Sequence, residues 1–516
     1  MGRRAQPLRP AARAGYAALG LVALVTLGPL FAVALNAKGI GGLTAGDWAA
    51  IRFTLLQATL SAGLSVALAI PLARALARRD FALRGALLTL MGAPFILPVI
   101  VAVMGLLAIF GRAGVISDGA AFLGLPRLEI FGLEGVLLAH VFLNLPLAVR
   151  LLLGGWQRVP AERLRLAAAL GFDARAMWLH FERPLLREIA PGAFAAIFLI
   201  CTTSFAVALI LGGGPRATTV ELAIYQAFRF DFDLARAAAL GLVQVVICLA
   251  AGLFVARLAL PPVWGTGLDR ALPAWPGLRP VSRVVDVLAI GLAAAFLLAP
   301  LAALIARGAA DVLTLPAVVW EAALRSLVLA VISALLAVLL ALLISVASLQ
   351  RQAVGEAVSF LGIAVSPLVI GTGLFLILRP YVGPEALALP VTGLVNAIVS
   401  LPFVLRGLRP ALAEAAASQG RLARALGLSA WATWRIALLP RLARPLGFGA
   451  GLAAALSAGD LGVIALFSLG DNATLPLQMY RLMGSYRTDD AAGAALVLIA
   501  LSLGLFWLFD RAGRRR

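Results

Sequence analysis

Apolar residues run along this chain in blocks of about 20, separated by shorter polar stretches in which arginine predominates. A helix of that length crosses the hydrocarbon of a bilayer and satisfies its own backbone hydrogen bonds there. Twelve blocks are predicted as spans, in the windows 16–35, 54–76, 86–110, 133–153, 190–212 and 237–258, then 284–306, 325–348, 357–378, 391–409, 446–468 and 491–509. Residues 261–280, which combine proline and tryptophan, read as a linker between two sets of six.

The expected fold is therefore an all-α integral membrane protein with about 12 transmembrane helices arranged as two parallel six-helix repeats. The first half covers 1–258, the linker 259–283 and the second half 284–516. The repeated core runs over about 50–258 and about 320–510.

Composition agrees with a bilayer environment. The chain is 62% hydrophobic and 13% charged, with a mean hydropathy of +1.01. Its two cysteines, Cys201 and Cys248, both fall inside apolar blocks, which excludes a disulfide framework or a cysteine-based metal site. The net charge of +19 is carried almost wholly by arginine, Lys38 being the only lysine. In a soluble protein such an excess points to nucleic acid. Here the arginines lie between spans, where basic residues mark cytoplasmic loops, so the expected partner is the lipid bilayer and not nucleic acid.

The distribution of charge gives an orientation. Arg74, Arg78, Arg79 and Arg84 follow the second block; Arg150 to Arg187 and Arg406 to Arg444 fill two long loops; Arg511, Arg514, Arg515 and Arg516 close the chain. Asp47, Asp118, Glu129, Glu221, Asp231, Asp233, Asp311, Asp471, Asp489 and Asp490 fall on the opposite side. Both termini are predicted to be cytoplasmic. Arg3, Arg4, Arg9 and Arg13 precede an apolar run longer than a usual signal peptide core, so the first helix is expected to remain uncleaved.

The two long basic loops repeat. Pro146, Arg150, Gly171, Trp178, Pro184, Ala217, Thr218 and Asp233 recur 256 residues later as Pro402, Arg406, Gly427, Trp434, Pro440, Ala473, Thr474 and Asp489. Each loop has a helical stretch rich in Ala, Leu and Arg, then a glycine, a second amphipathic stretch, and a proline 13 residues after the glycine. Glycine suits a tight turn at positive φ. Proline suits the first turn of a following membrane helix. The loops read as helix–turn–helix elbows; the alternative is an amphipathic helix lying on lipid, which has no need of matched spacing.

This Gly-to-Pro loop resembles the coupling loop of ABC importer permeases that work with a binding protein. The resemblance implies that Gly171, Phe172, Asp173, Trp178 and Pro184, with Gly427, Leu428, Ser429, Trp434 and Pro440, dock into two copies of an ABC ATPase subunit. The chain departs from the family pattern at Arg165 and Arg421, where a glutamate is usual, and at Leu166 and Leu422, where an alanine is usual. Its copies end in Phe181-Glu182-Arg183-Pro184 and Ala437-Leu438-Leu439-Pro440 instead of an Ile-x-Leu-Pro ending. Residues 135–153, 212–228, 230–240, 457–467 and 484–496 are similar to the fused two-copy permeases of bacterial thiamine and thiamine pyrophosphate importers. Ferric-iron permeases share the plan and parts of these motifs. The resemblance implies an inner-membrane location and a periplasmic substrate-binding protein.

No phosphate-cradling G-x-x-x-x-G-K-[ST] loop is present, because Lys38 follows Ala37. The chain is expected to hold no cofactor and to be no enzyme, with ATP and Mg bound by the partner subunit. His140 and His180, the only histidines, read as packing residues. Asn144 and Asp460, polar within apolar blocks, are candidates for the pathway or its gate, against a local hydrogen-bonding role. Thr218, Thr219, Tyr225, Thr474 and Tyr480, in matched outer loops, are candidates to meet the binding protein. A secondary transporter also uses parallel repeats but has no need of the paired elbows.

Overall fold

The computed structural model describes residues 9–37, 42–92, 96–214, 217–258, 280–351, 365–468, 470 and 472–514. Most of the expected linker lies outside the described residues, as do Lys38 and Asp471. The first half comprises α1 (Arg9–Asn36), α2 (Ala45–Arg78), α3 (Arg84–Leu90), α4 (Val99–Phe110), α5 (Val115–Phe122), α6 (Leu133–Trp156), α7 (Ala161–Ala169), α8 (Ala174–Met177), α9 (Arg183–Thr202), α10 (Ala206–Leu211), α11 (Val220–Arg229) and α12 (Leu234–Leu258). The second comprises α13 (Pro280–Gly308), α14 (Ala317–Ser348), α15 (Pro367–Leu378), α16 (Pro384–Ala425), α17 (Ala430–Ala432), α18 (Leu439–Ala458), α19 (Gly462–Phe467), α20 (Leu475–Gly484) and α21 (Thr488–Arg514). No strand occurs among the described residues.

The protein is an all-α integral membrane protein, with 11 helical segments among the described residues long and apolar enough to cross a bilayer. The remaining predicted window, 357–378, the ninth, lies partly outside the described residues; its described part is the 12-residue α15. Three windows predicted as single spans are broken. The window 86–110 divides into α3 and α4, with Pro98 at the start of α4. The windows 190–212 and 446–468 break at 203–205 and 459–461, the same place in both copies. The repeat-matched breaks coincide with short polar steps, Thr202-Thr203-Ser204 and Gly459-Asp460, inside apolar runs whose averaged hydropathy does not register them.

The halves interlock. α1 packs against α14 and α15 of the second half, and α13 packs against α4 and α2 of the first. Gly105 in α4 lies against the Pro300 carbonyl of α13, and Gly373 in α15 lies against the Pro29 carbonyl of α1. A Cβ on either glycine would collide with that carbonyl. The same close crossing, allowed only by the smallest residue, is thus made once in each direction.

Ion pairs fix which helix ends lie together. Arg79 Nε donates to Asp286 Oδ2 at 2.7 Å, joining the end of α2 to the start of α13. Arg307 Nε donates to Asp489 Oδ1 at 2.9 Å, joining the end of α13 to the start of α21. At the end of α21, Gly513 packs on Ala443 of α18, and near the start of α1, Gly15 packs on Leu343 of α14. Both described ends of the chain therefore lie at the end of the bundle that carries the two basic loops, here termed the elbow end.

Candidate coupling elbows and translocation path

Each elbow begins with a helix that stops at the repeated glycine. Gly171 has φ +67° and Gly427 φ +64°, the left-handed conformation that a Cβ disfavours. The turn is a Schellman motif in both copies: Phe172 N donates to Ala167 O and Leu428 N to Ala423 O, each at 2.9 Å. The following helix is capped at the same repeat position. Asp173 Oδ1 accepts from Ala176 N at 2.8 Å, and Ser429 Oγ accepts from Ala432 N at 3.2 Å. Asp173 and Ser429 share no chemistry beyond an acceptor oxygen, and that is what the position requires.

The repeated prolines stand in the first turn of α9 and α18, as expected, but these helices are not free starts. Pro184 and Pro440 sit in helices that run on from α8 and α17 through π-helical turns at Trp178–Glu182 and Thr433–Leu438. A proline ring clashes with the carbonyl four residues earlier, and a wider π turn relieves the clash without breaking the helix. The second arm of each elbow is therefore the base of the fifth or eleventh span, not a separate element. The first arms differ. α7 is separated from α6 at 157–160, ahead of which stand Gly154 and Gly155, whereas in the second half α16 runs unbroken for 42 residues.

Apolar side chains crown both turns. Leu166 and Leu170 are 60% and 63% exposed; their repeat partners Leu422 and Leu426 are 53% and 65% exposed. Leu164, on the opposite face of α7, is buried. Each copy thus exposes a pair of leucines one turn apart at matched positions.

The elbows are held differently. Glu182 is wholly buried in the first, with Oε2 2.7 Å from Arg74 Nη2 and Oε1 paired with Arg78. The Arg74 guanidinium lies over the Trp178 ring at 5.6 Å. In the second elbow the equivalent position is the buried Leu438, and Trp434 packs on an apolar cluster that includes Leu408 and Leu442. The clamp was not anticipated from the sequence. The available signal is an acid two residues before the first repeated proline where the second copy has leucine.

At the far end, Thr219 caps α11, its Oγ1 accepting from Leu222 N at 3.3 Å. Thr218 Oγ1 donates to Gly214 O at 3.3 Å. Thr474 occupies the matching cap position of α20 without a side-chain bond. Thr218, Thr219, Tyr225 and Thr474 are all buried, so in this conformation they organise the far end and present no surface. Tyr225 packs edge-on against Phe205 and Phe230, with centroids at 5.2 and 5.7 Å. Tyr225 and Tyr480, one from each half, line a cavity of about 200 Å³ with Gln226 and Phe230.

The halves also meet through aromatic rings. Phe228 of α11 lies 4.6 Å from Phe375 of α15 and 6.5 Å from Phe467 of α19, and Phe375 lies 5.8 Å from Phe467. These three rings bridge the halves as an aromatic plug only in the sense of packing, and none of them was among the sequence-predicted candidates. The two candidates within the spans make local bonds. Asn144 Nδ2 donates to His140 O at 2.9 Å and lies 3.5 Å from Cys201 Sγ, tying α6 to α9. Asp460 Oδ1 accepts from Gly462 N at 3.2 Å in the break before α19, while its Oδ2 is buried without a hydrogen-bond partner.

Two interlocked repeats, broken helices meeting across them and matched elbows at one end define an integral-membrane transport permease. The chain belongs to the family of thiamine transport system permease proteins. It is 40% identical over 532 aligned positions to the thiamine transport system permease protein of Brucella abortus, covering 100% of this chain and 98% of that one. The corresponding protein of Escherichia coli is 39% identical over 531 positions, covering 99% and 98%. That of Haemophilus influenzae is 34% identical over 469 positions, covering 88% and 87%. No protein-family model matches the chain.

Proposed function

We propose that this chain is the membrane subunit of an ATP-driven ABC importer that carries thiamine or thiamine pyrophosphate across a bacterial inner membrane. The observation that carries the reading is the repeat-matched pair of elbows, each with a left-handed glycine and two exposed leucines. Two equal contact surfaces on one chain suit two copies of one ATPase subunit, which binds ATP and Mg. The substrate follows from relatives over the full length that are named for thiamine transport.

In this reading the elbow end is cytoplasmic and the far end faces the periplasm, where a binding protein releases substrate above the Tyr225–Tyr480 cavity. Because the second arm of each elbow is continuous with a span, a movement imposed on Leu170 or Leu426 turns α9 or α18 as a lever. Those helices end at the breaks before α10 and α19, beside the aromatic plug. ATP-driven closure of the partner subunits thereby alternates access through the plug.

Proteoliposomes holding this chain, its ATPase and the binding protein test the reading with labelled thiamine. Uptake should require enclosed partner subunits and ATP. Uptake driven by an ion gradient without ATP would make the chain a secondary transporter, and uptake of ferric iron but not thiamine would refute the substrate.

A further inference from the structure

A groove of about 430 Å³ runs along the outside of the first half from the elbow into the membrane. Its walls include Val66 of α2, Trp178 of the π turn, and Arg183, Arg187, Ala190 and Phe194 of α9. Arg183 and Arg187 stand one helical turn apart at its mouth, both exposed. Neither takes part in an ion pair among the described residues. The acid nearest in sequence to Arg183, Glu182, is turned inward and held by Arg74 and Arg78. Arg74 also stacks on Trp178, which steadies that side of the groove.

Beyond the arginines the lining is apolar. From Arg183 to Phe194 the helix rises about 16 Å, close to half of the roughly 30 Å hydrocarbon thickness of a bilayer. Two cations at the interface, an interfacial tryptophan, and an apolar channel one leaflet deep match one ligand chemistry: an acidic phospholipid, phosphate outward and acyl chain inward. A water-soluble acidic partner would satisfy the arginines but has nothing to lay along Ala190 and Phe194. The second half has no equivalent, since Arg183 and Arg187 correspond to Leu439 and Ala443.

We propose that this groove is a binding site for a single acidic phospholipid, held by Arg183 and Arg187 and seated against the base of α9. The bound lipid braces the first elbow, where the chain itself supplies a buried ionic clamp, and leaves the second unbraced. This goes beyond the transport reading and does not depend on it.

Native mass spectrometry of the purified full chain, titrated with dioleoylphosphatidylglycerol or dioleoylphosphatidylcholine, tests the site. One phosphatidylglycerol per chain should bind in clear preference to phosphatidylcholine. The Arg183→Gln/Arg187→Gln variant should weaken it by about tenfold or more. Ala190→Trp, which fills the groove and keeps both charges, should weaken it too. Arg441→Gln/Arg444→Gln, in the second elbow, should leave it unchanged. Equal retention of both lipids, no loss in the first two variants, or an equal loss in the second-elbow variant would each overturn the proposal.

Discussion

Glu182 Oε2 lies 2.7 Å from Arg74 Nη2 at the base of the fifth span, in a carboxylate with no exposed surface. The same carboxylate pairs with Arg78, whose side chain is 5% exposed. The next residue along α2's exit, Arg79, pairs with Asp286 of α13. One elbow is thus tied by charges to α2, and through α2 to a helix of the other half. The second elbow has a buried leucine, Leu438, in place of Glu182.

Removing one member of a buried ion pair leaves the other uncompensated and costs about 3–5 kcal/mol. Glu182→Gln should therefore lower thermal stability markedly. The double variant Glu182→Leu/Arg78→Met should recover most of the loss, because Arg74 is partly exposed and can turn to solvent. Additive losses in a melting series of the single and double variants would show that the pair is not coupled.

Gly171 and Gly427 sit at φ +67° and +64°, where a β-branched side chain is strained. Valine there costs about 1–3 kcal/mol of local strain, relieved by reshaping the turn. Since nothing lies within 4 Å of a Cβ at either site, the defect is conformational and not steric. Each variant should insert normally and lower uptake per ATP hydrolysed, and the double variant should uncouple the two. Asparagine, which visits the left-handed region more readily, should retain more coupling than valine at both positions.

Phe228, Phe375 and Phe467 pack across the halves, and under the proposed transport function this cluster closes the route between them. Edge-to-face pairs contribute about 0.5–1.5 kcal/mol each beyond burial. Phe375→Ala should weaken closure and let labelled thiamine pass without ATP. Proteoliposome efflux measured in the absence of nucleotide reads this directly, and a tight variant would remove the plug from the pathway.

Glu221 at the far end, on α11 and outside the spans, is wholly buried, and burial pushes its carboxyl up to about 8. An acid whose folded value is raised favours the protonated folded state. Its contribution is fully present below the ordinary carboxylate range and lost as pH rises through about 8. Glu221→Gln removes the titration. The variant's melting temperature should gain on the parent's between pH 5 and 8 and hold a constant lead above; a pH-independent difference would contradict this.

The sequence revealed the spans because lipid demands long apolar helices, and it revealed the elbows because Gly171 and Gly427 share their distance to proline. It placed Pro184 and Pro440 in the first turn of α9 and α18, but the π turns that join those helices to α8 and α17 carry no sequence signal. Leu166 and Leu170 could not be told from core leucines by composition; Leu164, two residues away, is buried. Phe228 meets Phe375 and Phe467 across the interface between halves, a long-range pairing with no local pattern. Thr218 and Thr474 are legible as a repeated pair, but their burial depends on how α11 and α20 fold back onto the bundle.

The central claim is that both elbows meet the same surface of two identical ATPase subunits. A photo-crosslinking residue placed at Leu170, at Leu426, or at both, in the assembled transporter, measures it most directly. The account predicts that each position captures the same ATPase peptide and that the doubly labelled chain captures two subunits. Capture at one elbow only, or of lipid alone at both, would contradict it.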